Sequence, residues 1–206
     1  EIRRLSRIVR PDIAVITNIG ISHIEKLGSR QNILKAKLEI VDGMPAEGIL
    51  ILNGDDMMLS GVREKIPCRV KFFGLEDGSD IQAYDINSEG EKGICFRIKL
   101  KDDMYEMRLP VPGMHNVYNA LAAVTVGLEL GVSPEAIREG LQLFRPEKMR
   151  MNVLHVDGGI RLIDDTYNAS PQSVEAALGV LKDLGAGSRK IAVLGDMLEL
   201  GDWSRK

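Results

Sequence analysis

The chain has 206 residues, room for one large domain or for one and a part. Apolar residues make up 44% and charged residues 28%, the balance of a soluble globular protein with ample core. A formal net charge of −3 gives no bulk pull towards nucleic acid or a membrane surface, and no apolar run is long enough to span a bilayer, so neither partner is expected.

The opening is basic, with Arg3, Arg4, Arg7 and Arg10, and reads as a solvated helix face. Ile13 to Ile16 is a short apolar run that emerges through Thr17, Asn18 and Gly20, as a buried parallel strand does. His23 follows in the loop past the strand end, where open α/β sheets hold their ligands. Gly28 and Ser29 lead into a helix predicted over 30–42. Ile33, Leu34, Ala36, Leu38, Ile40 and Val41 share one broad face of it, and Lys37 falls near the middle of that face. A lysine there either snorkels to the rim or is held inward, where burial lowers its pKa and frees the amine for chemistry.

A strand is predicted over 48–52, ending in Asn53-Gly54-Asp55-Asp56. The aspartates can cap a helix over 57–65, and 68–73 reads as a further strand. This β-α-β-α-β rhythm predicts a mostly parallel sheet with helices on its faces. Three strand-like pieces then follow, at 81–87, 93–100 and 104–111. Asp102-Asp103 turns the last two into a hairpin, a small antiparallel extension of the same domain. Pro112-Gly113 closes the extension. A helix over 115–130 carries the stripe Val117, Leu121, Val124 and Leu128 and ends at Gly131, and Ser133-Pro134 opens another helix that runs to about Phe144.

The polar linker Arg145-Pro146-Glu147-Lys148 marks a boundary, giving domains 1–146 and 147–206. Beyond it, 152–156 and 160–163 read as strands around Asp157-Gly158-Gly159. Asp164 to Pro171 is a loop, 172–184 a helix with Val174, Ala177, Leu178 and Leu181 inward, and 190–194 a further buried strand. Together these read as the start of a second, Rossmann-like doubly wound domain. Cys68 and Cys95 stand far apart without metal-ligand spacing and read as buried thiols. The absence of a signal peptide predicts a cytoplasmic protein, taken as a monomer. An opening at Glu1 and an ending at Lys206 with no helix stop are expected of a piece of a longer protein.

Asn116 and Asn119 are three apart on a helix start, so their amides share a face of the first turn. Such amides either cap and solvate the helix or, donating and accepting at once, meet the edge of a purine ring. The residues now carry a resemblance. NIGISHIEKLGS with KAKLEI is similar to the central ATPase domain of the Mur ligases, and MHNVYNALAA resembles that family's HNxxNxxAA segment. The resemblance implies an ATP-dependent amide-bond ligase of peptidoglycan assembly, using ATP and Mg²⁺ through an acyl-phosphate intermediate. It implies that His23 ligates Mg²⁺, that Lys37 is carbamylated and helps hold a second Mg²⁺, and that Asn116 and Asn119 contact adenine. A carbamate would turn an inward cation into an anionic oxygen ligand, the donor type Mg²⁺ takes.

Arg150, in KMRMNV, resembles the family's arginine that reaches the γ-phosphate from the second domain; an ordinary surface arginine is the other reading. DDTYNASP resembles a family motif in which Asp165 lies near the ribose and Tyr167 and Asn168 line the nucleotide cleft, although such residues also suit turns. DDTYNASP and GDMLELG are closest to the family branch that joins D-alanyl-D-alanine to a UDP-N-acetylmuramoyl-tripeptide, which makes those two molecules the implied partners. Asp196 and Glu199 would then help position the dipeptide amine. No Gly-x-x-Gly-Lys-Ser/Thr run is present. Gly185 to Lys190 is only superficially similar, because it is expected to precede a strand instead of opening a helix. The chain alone is therefore expected to be inactive. The competing readings are another Mur ligase, a folylpolyglutamate-synthase-like ligase, or a non-catalytic nucleotide- or partner-binding module.

Overall fold

The computed structural model describes residues 1–21, 24–184, 187–201 and 204. One six-stranded sheet organises the first part of the chain, in the order β1 (Ile13–Ile16), β2 (Ile49–Asn53), β3 (Arg69–Gly74), β4 (Ile81–Ser88), β5 (Ile94–Leu100) and β6 (Asp103–Leu109). The first four strands pair parallel, with Ile13 opposite Ile49 and Leu50 opposite Val70; β4, β5 and β6 then pair antiparallel. The expected parallel sheet and its antiparallel extension are thus a single continuous surface.

The sheet is covered on both faces, which explains why β2 is apolar at successive positions: all five of its residues are buried. On one face Ile49, Ile51 and Phe73 pack with Val117, Leu121 and Val124 of α5 (Met114–Glu129). On the other, Leu50 and Leu52 pack with Ile24 of α2 (Ile24–Leu27), Ile33 of α3 (Arg30–Leu38) and Leu59 of α4 (Met57–Ser60). Ser133 caps α6 (Pro134–Gln142) by accepting from the Ala136 N–H, as its sequence position requires.

Two helices are shorter than their sequence pattern. The one expected to run to 42 leaves α-geometry at Leu38 and tightens into a 3₁₀ turn over Glu39–Gly43. Ser6, on α1 (Ile2–Val9), causes this: its hydroxyl donates to the Ile40 carbonyl and accepts from the Gly43 N–H, and any side chain at Gly43 would collide with the Ser6 backbone. The helix expected over 57–65 stops at Ser60, with Gly61 at its end and a 3₁₀ turn over Arg63–Lys65.

Beyond the linker, β7 (Asn152–Val156) and β8 (Ile160–Asp164) form an antiparallel hairpin, followed by α7 (Pro171–Leu184). The inward face of α7 matches the expected one in part, with Val174, Ala177 and Leu181 half-buried. Ala177, Val180 and Leu184 pack with Met151 and with Val153 and Ile163 of the hairpin, with Val180 also near Gly113 and Leu184 near Gly90, while Leu178 turns to solvent. The strand expected over 190–194 is absent. Ile191, Val193 and Leu194 are exposed, and among the described residues no strand offers that segment a ladder. No described helix is long and apolar enough to cross a membrane.

Candidate functional site

Five of the residues singled out from sequence, Lys37, Asn116, Asn119, Arg150 and Asp165, come together where the parallel strands end. β1 runs into a loop that Asp56 holds from below: its Oδ2 accepts from the Ile19 N–H at 2.6 Å, while Oδ1 caps α4 through Met58 and Leu59. Arg30 grips the other side of the same residue, donating to the Ile19 carbonyl through Nη2 at 2.8 Å. The Asn18 carbonyl, one residue earlier, is thereby aimed at α3 and accepts from Lys37 Nζ at 2.8 Å. Lys37 is half-buried, and burial pushes its amine below the ordinary lysine range while the Asp56 charge pulls it back. The amine thus ends at the Asn18 carbonyl on the cleft wall, which leaves both readings of Lys37 standing. His23 lies outside the described residues.

Across the sheet mouth, Gly113 at positive φ turns the chain into α5. Asn116 Nδ2 donates to the Pro112 carbonyl at 2.7 Å, which fixes its amide, and Asn119 Nδ2 approaches Asn116 Oδ1 at 3.4 Å. Asn119 is exposed towards the cleft. His115 beside them is held below the ordinary imidazole range by burial, with the Asp165 charge opposing.

The far wall comes from beyond the linker. Asp165 Oδ1 accepts from the Met151 N–H at 3.1 Å, and the Arg150 guanidinium lies 4.1 Å from the centre of the Tyr167 ring. Lys37, Asn116, Asn119, Arg150 and Asp165 all line one cleft of about 1180 Å³, ample for a nucleotide. Tyr167 and Asn168 do not line it; Tyr167 meets it only through Arg150. Asp196 is exposed, and Glu199 turns to α2 instead, accepting from the Glu25 N–H at 3.2 Å and pairing with Lys26 at 3.4 Å. Gly185 and Ala186 lie outside the described residues, and the chain from Gly187 to Lys190 opens no helix.

Sequence reasoning missed Asn18, which contributes only a carbonyl and so leaves no side-chain signature. It read Asp55 and Asp56 as a capping pair, whereas only Asp56 caps. It also missed Glu91, which accepts from Arg161 at 2.8 Å and lies 2.9 Å from His155 Nε2, joining the antiparallel extension to the β7–β8 hairpin. Charged residues 64 and 70 positions apart give no local pattern from which to find them.

The donor set bears on Mg²⁺ in one specific way. Among the described residues no three His, Cys, Asp or Glu side chains gather as a metal site. Lys37 as an ammonium only donates, so it fits a hard cation only when modified to an oxygen ligand; half-burial favours the neutral amine such a modification needs.

Residues 1–127 match the family model of the Mur ligase middle domain, and residues 149–206 that of the Mur ligase, glutamate ligase domain. The UDP-N-acetylmuramoyl-tripeptide–D-alanyl-D-alanine ligase of Bacillus subtilis (strain 168) is 43% identical over 98% of the chain, and that of Escherichia coli (strain K12) is 32% identical over 98%. The crystal structure of MurF from Acinetobacter baumannii superposes with a TM-score of 0.90 at 37% identity, covering 99% of this chain and 44% of that one. MurF ligase from Thermotoga maritima in complex with ADP superposes with a TM-score of 0.84 at 28% identity, covering 98% and 46%. The chain spans 43% of the Bacillus protein's length and 44% of the Escherichia protein's.

Proposed function

The chain belongs to the Mur ligase family, and from that premise we propose that it forms the nucleotide-closing part of an ATP-dependent ligase that joins D-alanyl-D-alanine to a UDP-N-acetylmuramoyl-tripeptide. Residues 1–146 belong to the central domain and 147–206 to the C-terminal one. The observation that carries this reading is the single cleft with Lys37, Asn116 and Asn119 on one wall and Arg150 and Asp165 on the other.

In the reaction, a tripeptide carboxylate oxygen attacks the γ-phosphorus of ATP, ADP leaves, and an acyl phosphate forms. The dipeptide amine then attacks the acyl carbon, phosphate departs, and the amine loses a proton as the amide forms. Asn116 and Asn119 hold adenine, each amide offering both a donor and an acceptor. Asp165 faces the ribose through the carboxylate oxygen not given to Met151. Arg150, braced on Tyr167, places its guanidinium against the γ-phosphoryl group, where charge is spread over the transferring oxygens. Tyr167 and Asn168 finish the outer edge. Lys37 as a carbamate, with His23, would hold Mg²⁺, which would supply charge neutralisation on the phosphates. Because the walls come from two domains, closing them excludes water from a hydrolysable intermediate.

A cytoplasmic setting follows from these substrates, and a monomer suffices for a cleft built within one chain. With no phosphate-cradling Gly-x-x-Gly-Lys-Ser/Thr run, the chain alone binds ATP weakly and shows no turnover. The test is a substrate panel: the ligase containing this segment should release phosphate from ATP with the tripeptide and D-alanyl-D-alanine. ATP-dependent dipeptide addition by these 206 residues alone would refute the dependence on a phosphate loop. A preference for UDP-N-acetylmuramate with L-alanine would move the assignment to the branch whose Persephonella marina member is 34% identical to this chain.

A further inference from the structure

Tyr118 stands on α5 between Asn116 and Asn119, yet points the other way. Its hydroxyl donates to Asp55 Oδ2 at 3.0 Å, just past the end of β2. The same carboxylate accepts from the Leu75 N–H at 2.6 Å and the Glu76 N–H at 3.2 Å, in the loop leaving β3. Asp55 is therefore a junction of a strand end, a loop and a helix.

The junction has little freedom. A Cβ on Gly74 would lie 2.5 Å from Asp55 Oδ1, so the carboxylate is seated against bare backbone. Behind it Leu50, Ile51 and Leu52 are fully buried. Burial and the Asp55 carboxylate push the Tyr118 phenol well above its ordinary pKa, which keeps it a donor. The remaining contacts of the front half of α5 with the sheet, through Val117 and Leu121, are apolar and non-directional. Among the described residues, the Tyr118 hydroxyl makes the one directional side-chain bond from the front half of α5 to the sheet's end. A roll of about ten degrees carries a group 5–6 Å off the axis through about 1 Å, and a misplacement of that size spoils contacts that must be met together.

We infer that the Tyr118–Asp55 tether fixes the roll of α5, and so decides whether the Asn116 and Asn119 amides meet the edge of a purine base. Tyr118 and Asp55 are positioning residues that touch no ligand. The inference rests on the adenine reading of the two asparagines, and the test separates the two.

Nitrogen-labelled chain is titrated by NMR with ADP, GDP and inorganic pyrophosphate, as the parent sequence and as Tyr118→Phe, Asp55→Glu and Asn119→Ala. The parent sequence should favour ADP over GDP. Tyr118→Phe should lose about five- to tenfold in ADP affinity, the worth of one directional hydrogen bond, with pyrophosphate binding unchanged and the spectrum still dispersed. Asp55→Glu keeps the charge but cannot take the seat against Gly74, and should reproduce the loss. An unchanged ADP preference in Tyr118→Phe overturns the tether. So does an equal loss for ADP and pyrophosphate, which would mark general loosening. If Asn119→Ala leaves the ADP preference intact, the adenine reading fails and the tether falls with it.

Discussion

Asp56→Ala removes one carboxylate that serves three backbone N–H groups on two elements, at 2.6 Å to Ile19, 2.9 Å to Met58 and 3.3 Å to Leu59. The helix-capping part is worth about 1 kcal/mol. The Ile19 N–H belongs to a residue that is 1% exposed, and leaving it without an acceptor costs about 1–3 kcal/mol. Together the substitution should destabilise the chain by about 2–4 kcal/mol, a shift in Tm of roughly 5–15 °C for a protein of this size. Asp56→Asn keeps one acceptor oxygen and should lose less than half of that. The distinguishing assay is amide hydrogen exchange at Ile19 with thermal melting in parallel. The Ile19 amide should lose protection by more than global destabilisation explains, because the loop also loses its aim at Lys37. A drop below about 0.5 kcal/mol, the range of an ordinary surface change, with Ile19 protection intact, would refute the view that Asp56 holds this loop.

Two further outcomes follow from the same wall of the cleft. Lys37 has its pKa lowered by burial, so its neutral amine is present at a lower pH than that of a surface lysine. In ¹³C-bicarbonate a carbamate signal assigned to Lys37 should therefore appear at lower pH than any from other lysines and be absent in Lys37→Arg; a first lysine signal, distinct from that of the α-amine, that survives Lys37→Arg contradicts it. His115 is also lowered, from 6.5, so the unfolded chain takes up its proton first as pH falls. Stability should then rise with pH across the window from the folded-state pKa to 6.5 and be flat with respect to this group above it, and His115→Gln should flatten that slope in urea melts.

What was legible in the sequence was whatever is written in neighbouring residues. The all-apolar run at Ile49 to Leu52 announces a strand covered on both faces, and Ser133-Pro134 announces a helix start, because both signals are local. Lys37 was legible for the same reason: a cation in an apolar stripe breaks a short-range period. The helix end at Leu38 was not, since the cause is a serine 32 positions earlier reaching into the last turn. The inward face of α7 was legible in part: Val174, Ala177 and Leu181 are half-buried as expected, but Leu178 is exposed and Val180 and Leu184 are buried instead. The run from Ala176 to Leu184 contains two apolar stripes, and the choice between them is made by Met151, Val153 and Ile163, which are distant in the sequence. At 190–194 the composition is that of a buried strand, but a strand is a property of a pair, and the described residues supply no second member.

The contacts that set the cleft's two walls against each other are of a kind different from those within each wall. Within the first domain the sheet is bound by fully buried aliphatic side chains, whereas between the domains lie Glu91 with Arg161 and His155, and Glu199 with Lys26 and the Glu25 N–H. Exposed ion pairs of this sort contribute little to stability and weaken with salt. Val180 and Leu184 add an apolar seat, but a small one, formed on α7 against two glycines. A wall held this lightly is one whose position a ligand bridging both sides can change by its own differential affinity. On the proposed nucleotide reading, Arg150 and Asp165, on the lightly held wall, are the residues whose approach to a ligand would depend on closure, while Asn116 and Asn119 lie on the wall bound by the sheet.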